Sequence, residues 1–146
     1  MTVPKGDGPF PAVILVHGSG PHDMDETIGS NKPFKDLAWG LATKEIAVLR
    51  YEKRTKFYVA KTVDEETIDD ALAAIDLLRK IDKIDSERIF ILGHSLGGML
   101  APWIAAEDGK IAGLILLAAN TRDLPDMILE PVSYTHLRAH ETRHDI

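Results

Sequence analysis

The chain has 146 residues, enough for one domain with one modest hydrophobic core. Its 45% apolar and 27% charged residues are ordinary for a globular protein, and its net charge of −6 argues against a nucleic-acid partner. The apolar runs are too short to cross a bilayer, so no membrane partner is predicted. Because there is no cysteine, disulfides and thiol chemistry are excluded. The opening segment has no apolar leader pattern, which weakly favours the cytoplasm, and the oligomeric state stays open.

Short apolar strands alternate with amphipathic helices along the chain. Continuous apolar runs predict four strands, at residues 12–17, 46–51, 88–93 and 111–120. Helical periodicity predicts three helices between them, the first from Pro33, the second after a Thr62–Glu65 capping box, and the third over LGGMLAPWIAAE. This alternation predicts an α/β fold with a mostly parallel sheet and helices on both faces. We expect functional groups in the loops at the carboxyl ends of the strands.

The stretch GHSLGG fits the pattern G-x-S-x-G directly after the third strand and directly before the third helix. A turn this tight requires residues without side chains at Gly93 and Gly97. It predicts that Ser95 stands at the edge of the sheet as a nucleophile, at a helix N-terminus whose free N–H groups favour an oxyanion. A simple glycine-rich turn is the alternative. The stretch HGSGP follows the first strand, and the backbone N–H of Ser19 is the candidate for a further oxyanion donor.

These segments resemble the α/β-hydrolase superfamily, in its esterase and serine-aminopeptidase-like branch. VILVHGSGP, IAVLRYEKR and ILGHSLGGMLAP occur in that family's order over roughly residues 2–130. The resemblance implies an eight-stranded, mostly parallel sheet and hydrolysis of an acyl substrate through an acyl-serine intermediate. It implies Ser95 as the nucleophile and the N–H groups of Leu96 and Ser19 as the oxyanion hole, with structural roles for His17 and His94. No cofactor and no metal are expected.

Two polar segments, the acidic loop after HGSGP and the stretch RYEKR, are interpreted without a catalytic role. The acidic loop His22, Asp23, Asp25 and Glu26 could suggest a cation site, but a polar loop facing the substrate is favoured. By the same resemblance, Arg50 and Arg54 of RYEKR bind local carbonyl or carboxylate groups.

An acid and a histidine for the nucleophile are not visible in the chain. In the family the acid and then the histidine follow the nucleophile on later loops, whereas Asp123 and Asp126 come too early. Residues 1–130 are therefore expected to be a partial hydrolase core that lacks the first strands and the C-terminal strands of the fold. Such a piece is expected to show negligible turnover and to aggregate through bare strand edges.

The tail, residues 131–146, carries His136, His140 and His144 at a helical spacing. A displaced catalytic histidine and a zinc site of three imidazoles are two interpretations. The third is favoured, because VSYTHLRAHET resembles the conceptual translation of a sequencing adapter, so that the tail is a non-native segment.

The prediction is therefore a carboxylesterase-like serine hydrolase that acts on a small-molecule acyl substrate. A peptidase or an acyl-CoA thioesterase on the same fold is the nearer alternative. The farther one is a non-catalytic α/β binding module with a metal-binding tail. The acyl and alcohol specificity cannot be predicted from the sequence.

Overall fold

Four parallel strands form the central sheet of the computed structural model, which describes residues 1–120. In chain order the strands are β1 (Phe10–Val16), β2 (Ala47–Leu49), β3 (Ile84–His94) and β4 (Gly113–Leu117), and their order across the sheet is β2-β1-β3-β4. They are connected in turn by α1 (Pro33–Ala42), α2 (Asp69–Arg79) and α3 (Leu96–Asp108). The predicted α/β class is confirmed.

Helices cover both faces of the sheet, as the continuous apolar runs predict. Alternate residues of β1 point to opposite faces, so Val13 and Leu15 share one buried cluster with Phe34 of α1. Ile14 lies in a second buried cluster that also holds residues of α2 and α3, among them Ile75. A strand that is buried on both faces must be apolar throughout, and this is why β1 reads as an uninterrupted run.

The connections leave β1 and β3 in opposite directions. The chain passes from β1 through α1 to β2 on one side, and from β3 through α3 to β4 on the other. In open α/β sheets the carboxyl ends of two such neighbouring strands leave a crevice in which ligands bind. The segments that follow β1 and β3 are HGSG and SLGG, so the topology brings both sequence motifs to this one crevice.

The bounds of all four strands differ from the predictions. β1 is Phe10–Val16 where the sequence predicts residues 12–17, and β4 is Gly113–Leu117 where it predicts residues 111–120. β3 begins at Ile84, which pairs with Phe10 through an irregular register. The mostly exposed polar residues 85–88 give this extension no apolar signal. β2 is confined to Ala47–Leu49, the three residues that pair with β1.

An ion pair ties two helices together on one face of the sheet. Arg79 of α2 donates two hydrogen bonds of 2.6 Å to the carboxylate of Asp108 in α3. These bonds hold the pKa of Asp108 below its usual range. Two parallel N–H···O bonds also fix the relative orientation of the helices more tightly than a single contact would.

β4 is one of the two edge strands of the described sheet, and four of its side chains, those of residues 114–117, are more than a third exposed. Exposed apolar edge strands favour pairing with other chains. Within residues 1–120, none of the helices is long and apolar enough to cross a membrane.

The start of α3 lies unusually close to the end of β1. A Cβ atom on Gly97 would lie 2.3 Å from the carbonyl oxygen of Val16 and 2.6 Å from that of His17. Both obstacles are backbone atoms, so no side chain can rotate away to make room. The helix and the strand reach this separation only because residue 97 has no side chain.

We expect Gly97→Ala to lower the free energy of unfolding by about 3 kcal/mol, at the upper end of overpacking costs, because α3 must move off β1. Gly40→Ala is the matched control, since a Cβ there meets nothing within 4 Å and Gly40 lies inside α1. This control should raise stability by about 0.5–1 kcal/mol through its helix propensity. Urea unfolding followed by circular dichroism measures both, and equal effects for the two variants would contradict the close approach.

Candidate active site

Ser95 lies between β3 and α3 in a backbone conformation that residues other than glycine rarely adopt. Its φ is +51° and its ψ is −115°. Residues other than glycine avoid positive φ because Cβ meets the backbone, and such strain persists only where neighbouring structure enforces it. Two hydrogen bonds hold the backbone of Ser95 in this conformation. Its N–H donates to Leu117 O at 2.9 Å, and its C=O accepts from Met99 N–H at 3.0 Å. The side chain is half-buried at the crevice.

The glycines around Ser95 are required by backbone contacts. A Cβ on Gly93 would lie 2.3 Å from the carbonyl oxygen of Gly97, across the turn. A Cβ on Gly98 would lie 2.8 Å from Gly93 O and from the side chain of Ala119. The chain therefore reverses from strand to helix within a space that admits only backbone.

The segment His17 to Gly20, here called the HGSG loop, lies directly against Ser95. A Cβ on Gly18 would be 3.3 Å from the Cβ of Ser95. Ser19 is exposed. Within residues 1–120, no acceptor takes a hydrogen bond from the N–H of Ser19 or of Leu96. Within that range, these two N–H groups on neighbouring segments are therefore unpaired.

A buried lysine holds the HGSG loop from one side. Lys53 is 1% exposed, and its Nζ donates to Gly18 O and to Glu66 Oε1, both at 2.6 Å. The same carboxylate oxygen accepts the N–H of Gly20 at 3.0 Å. Partial burial raises the pKa of Glu66, but the hydrogen bonds from Lys53 and Gly20 outweigh it and hold the pKa below 4.5. Glu66 lies in a single π-helical turn before α2, a feature that often marks functional sites.

Glu26 holds the same loop from another side. The carboxylate is 1% exposed, so the expectation that the acidic loop faces the substrate is wrong for this residue. Its Oε1 accepts the N–H of Gly18 at 2.8 Å and lies 2.9 Å from Nδ1 of His94. Burial of a carboxylate is tolerated because these two donors compensate for the loss of water.

The histidines of the described region all bond to groups other than Ser95. His17 is 1% exposed, and its Nε2 donates to Asp23 O at 3.0 Å. Burial lowers the pKa of His17 to about 4, so its ring is neutral at pH 7. Nε2 of His22 donates to Ser19 O at 3.0 Å, and His94 binds Glu26. Within residues 1–120, no imidazole makes a hydrogen bond to the Ser95 hydroxyl.

Both arginines of RYEKR bind carboxylates, as expected. Arg50 pairs with Asp25, and Arg54 with Asp70. The loop after Arg54 lines an open groove of about 530 Å³ beside Ser19. Its apolar wall includes Phe57 and Val59, both largely exposed. A substrate group could therefore lie next to the HGSG loop.

Several candidate groups lie outside the described residues. These are Asp123, Asp126, His136, His140, His144 and the whole tail from residue 131. Within residues 1–120, no cluster of three or more histidine, aspartate or glutamate side chains could hold a metal ion.

We expect the bond between Lys53 and Glu66 to make stability depend on pH in the acid range. Because the folded pKa of Glu66 is below the ordinary value of 4.5, its contribution is complete above that pH and is lost as the pH falls through the lowered pKa. The difference in unfolding free energy between the wild type and Glu66→Gln should therefore shrink from pH 6 toward pH 3. Urea unfolding at a series of pH values measures it.

Glu107→Gln is the control for this titration, because Glu107 is exposed on α3 and makes no ion pair with any of residues 1–120. It should change stability little at any pH. If the difference in unfolding free energy between the wild type and Glu66→Gln stayed constant down to pH 3, a stabilising Lys53–Glu66 bond would be contradicted.

Comparison with known proteins places this chain in a family. A family model described as the prolyl oligopeptidase family matches residues 51–141, more than half of the chain. Esterase EstD of Thermotoga maritima is 51% identical over 140 residues, which cover 92% of this chain and 33% of that protein. The chain spans about a third of the length of the curated relatives it matches.

Solved structures show the same fold at low sequence identity. Acetyl xylan esterase 1 from Thermoanaerobacterium sp. JW/SL YS485 matches with a TM-score of 0.66 and 13% identity, covering 98% of this chain and 51% of that one. The α/β hydrolase GrgF from Penicillium sp. sh18 matches with a TM-score of 0.65 and 18% identity, covering 98% and 48%. The sheet is therefore part of an α/β-hydrolase fold, which confirms the resemblance of the sequence motifs. The chain belongs to the prolyl oligopeptidase family.

Proposed function

We propose that this chain carries the nucleophile of a serine hydrolase that cleaves carboxylic esters. The observation that carries the proposal is the positive φ of Ser95 between a buried strand and a helix N-terminus. Backbone strain of this kind costs about 1–3 kcal/mol and clusters where a side chain must be presented to a ligand. The 51% identity to an esterase over most of the chain supports the same class of reaction.

In the proposed reaction the Ser95 oxygen bonds to the ester carbonyl carbon and loses its proton to a general base. The carbonyl oxygen becomes an anion that accepts hydrogen bonds from the N–H groups of Ser19 and Leu96. The bond to the alcohol oxygen then breaks, and the alcohol leaves with a proton. Water attacks the acyl-serine in the second half and releases the carboxylic acid, which restores the Ser95 hydroxyl.

The base and the acid that orients it are not assigned to any of residues 1–120. His17 is buried and neutral, while His22 and His94 bond elsewhere. Loss of the histidine of a serine triad costs about 10⁶ in kcat, whereas the oxyanion donors alone retain about 10³–10⁴ over water. We therefore propose that these 146 residues by themselves show negligible turnover but still accept an acyl group slowly on Ser95, with solvent water taking the proton of the hydroxyl in place of the base.

Incubation with p-nitrophenyl acetate tests this proposal. We expect one acetyl group to accumulate on the peptide that contains Ser95, with steady turnover about 10⁶-fold below that of a complete triad. Intact mass and peptide mapping identify the acetylated residue, and released p-nitrophenol gives the rate.

Ser95→Ala should abolish this acetylation, and Ser86→Ala, which removes an exposed hydroxyl on β3, should leave it unchanged. Rapid steady turnover, or acetylation that persists in Ser95→Ala, would overturn the proposal.

Peptide cleavage is the second candidate function, because the matching family model is named for an oligopeptidase. An amine leaving group needs a proton from the histidine before it departs, whereas p-nitrophenolate does not. A matched p-nitroanilide should therefore not acylate Ser95 in this chain. Acylation by the anilide at a rate similar to the ester would favour the peptidase.

A further inference from the structure

Glu26 connects the two backbone segments on which the proposed reaction depends. Its buried Oε1 accepts the N–H of Gly18 in the HGSG loop at 2.8 Å. The same oxygen lies 2.9 Å from Nδ1 of His94, the residue before Ser95, and this nitrogen carries the proton because a carboxylate oxygen accepts. One atom thus binds the loop that bears Ser19 and the turn that bears the nucleophile.

We propose that Glu26 is a positioning residue that fixes the N–H of Ser19 as an oxyanion donor next to Ser95. The inference rests on the proposed function and adds a residue to it. Glu26 itself does not touch the substrate. It acts through Gly18 on the peptide group that follows.

The hydrogen bonds on either side of Ser19 support this role. Gly18 N–H is bound by Glu26, and Gly20 N–H is bound by Glu66, whereas no acceptor within residues 1–120 takes the N–H of Ser19. Two carboxylates therefore hold the flanking N–H groups, and the N–H between them has no acceptor among the described residues. An oxyanion donor must be held in this way before the reaction, because reorganisation during the reaction would cancel its benefit.

The packing around Gly18 couples the loop to the nucleophile. A Cβ on Gly18 would lie 3.3 Å from Ser95 Cβ and 3.4 Å from both Glu26 Oε1 and His94 Nδ1. These three atoms thus lie close around the point where a side chain at position 18 would begin. A shift of the loop changes the distance between Ser19 N–H and the oxygen of an attacked carbonyl.

Two carboxylates, those of Glu26 and Glu66, lie near the HGSG loop, where the oxyanion of the proposed reaction would form. Each of them is neutralised by donors from the protein. Lys53 Nζ binds Glu66 at 2.6 Å, and the N–H groups of Gly18 and His94 point at Glu26. Each carboxylate is therefore compensated on the protein side. Glu26 also has a positive φ of +51°, a backbone conformation that residues with side chains rarely adopt.

Acylation of Ser95 by p-nitrophenyl acetate in the full chain is the functional test. We expect Glu26→Ala to slow acylation about 10- to 100-fold, somewhat less than the 10²–10³ lost when an oxyanion donor is removed outright. Glu26→Gln keeps an acceptor oxygen for Gly18 and should restore the rate to within about threefold of the wild type. Glu45→Ala is the matched control, because Glu45 also has a positive φ, of +62°, but is exposed and remote, and its rate should not change.

A spectroscopic measurement separates positioning from simple stability. In ¹H–¹⁵N spectra of the folded variants, the amide of Gly18 should move upfield and exchange faster with solvent in Glu26→Ala, and should stay near its wild-type position in Glu26→Gln. Thermal unfolding of each variant shows that rates are compared between folded proteins.

The outcomes distinguish this inference from the proposed function. An unacylated wild type overturns the proposed function and this inference with it. A normal wild-type rate that Glu26→Ala leaves unchanged overturns the inference alone, and so does an unmoved Gly18 amide. A rate for Glu26→Gln as low as that of Glu26→Ala also overturns it, since the negative charge and not the acceptor would then be needed.

Discussion

The close approach of α3 to the end of β1 is the constraint on which the site depends. Gly97 lies so near the carbonyls of Val16 and His17 that a methyl group there would overlap them. Because α3 begins at this contact, β3 must turn into the helix within one residue, and that residue is Ser95 at positive φ. The same contact places the HGSG loop, which continues from β1, beside the serine. Strain at one position and proximity between two motifs thus have a single geometric cause.

The second feature is a set of buried and partly buried charges that bind the HGSG loop. Glu26 and Lys53 are each 1% exposed, and Glu66 completes the set. Removal of one partner from a buried pair typically costs about 3–5 kcal/mol, whereas well-packed apolar residues are often as stable as the intact pair. Stability alone therefore gives little reason for charges here. These side chains bind backbone groups of Gly18 and Gly20, which supports a role in fixing the shape of the loop.

Much of the fold can be predicted from the sequence, because the strands and the turn at Ser95 are determined by the residues within them. Uninterrupted apolar runs predict strands that are buried on both faces, and the glycines around Ser95 predict a tight strand-to-helix turn. The start of β3 does not follow, because Ile84 is extended by pairing with Phe10 across a polar stretch. Strand ends that depend on a distant partner carry no local signal.

The residues that support the site could not be predicted from the sequence either, because their roles also depend on distant partners. Glu26 lies in an acidic loop that the sequence predicts to face the substrate, and its burial depends on His94, 68 positions away. Lys53 lies within RYEKR, for which the sequence predicts binding roles only for the two arginines. The structure shows that the lysine binds the HGSG loop. A charged residue is expected at the surface unless its partners are known, and these partners are brought together only by the fold.

The most direct test of the central claim, that Ser95 is the nucleophile of an esterase, uses the relative from Thermotoga maritima. A chimaera would carry the matched residues of this chain in place of the corresponding third of esterase EstD, to which they are 51% identical. The account predicts that the chimaera hydrolyses p-nitrophenyl esters and that Ser95→Ala lowers its kcat by about 10⁶ with little change in folding. A folded chimaera that keeps its esterase activity after Ser95→Ala would contradict the account.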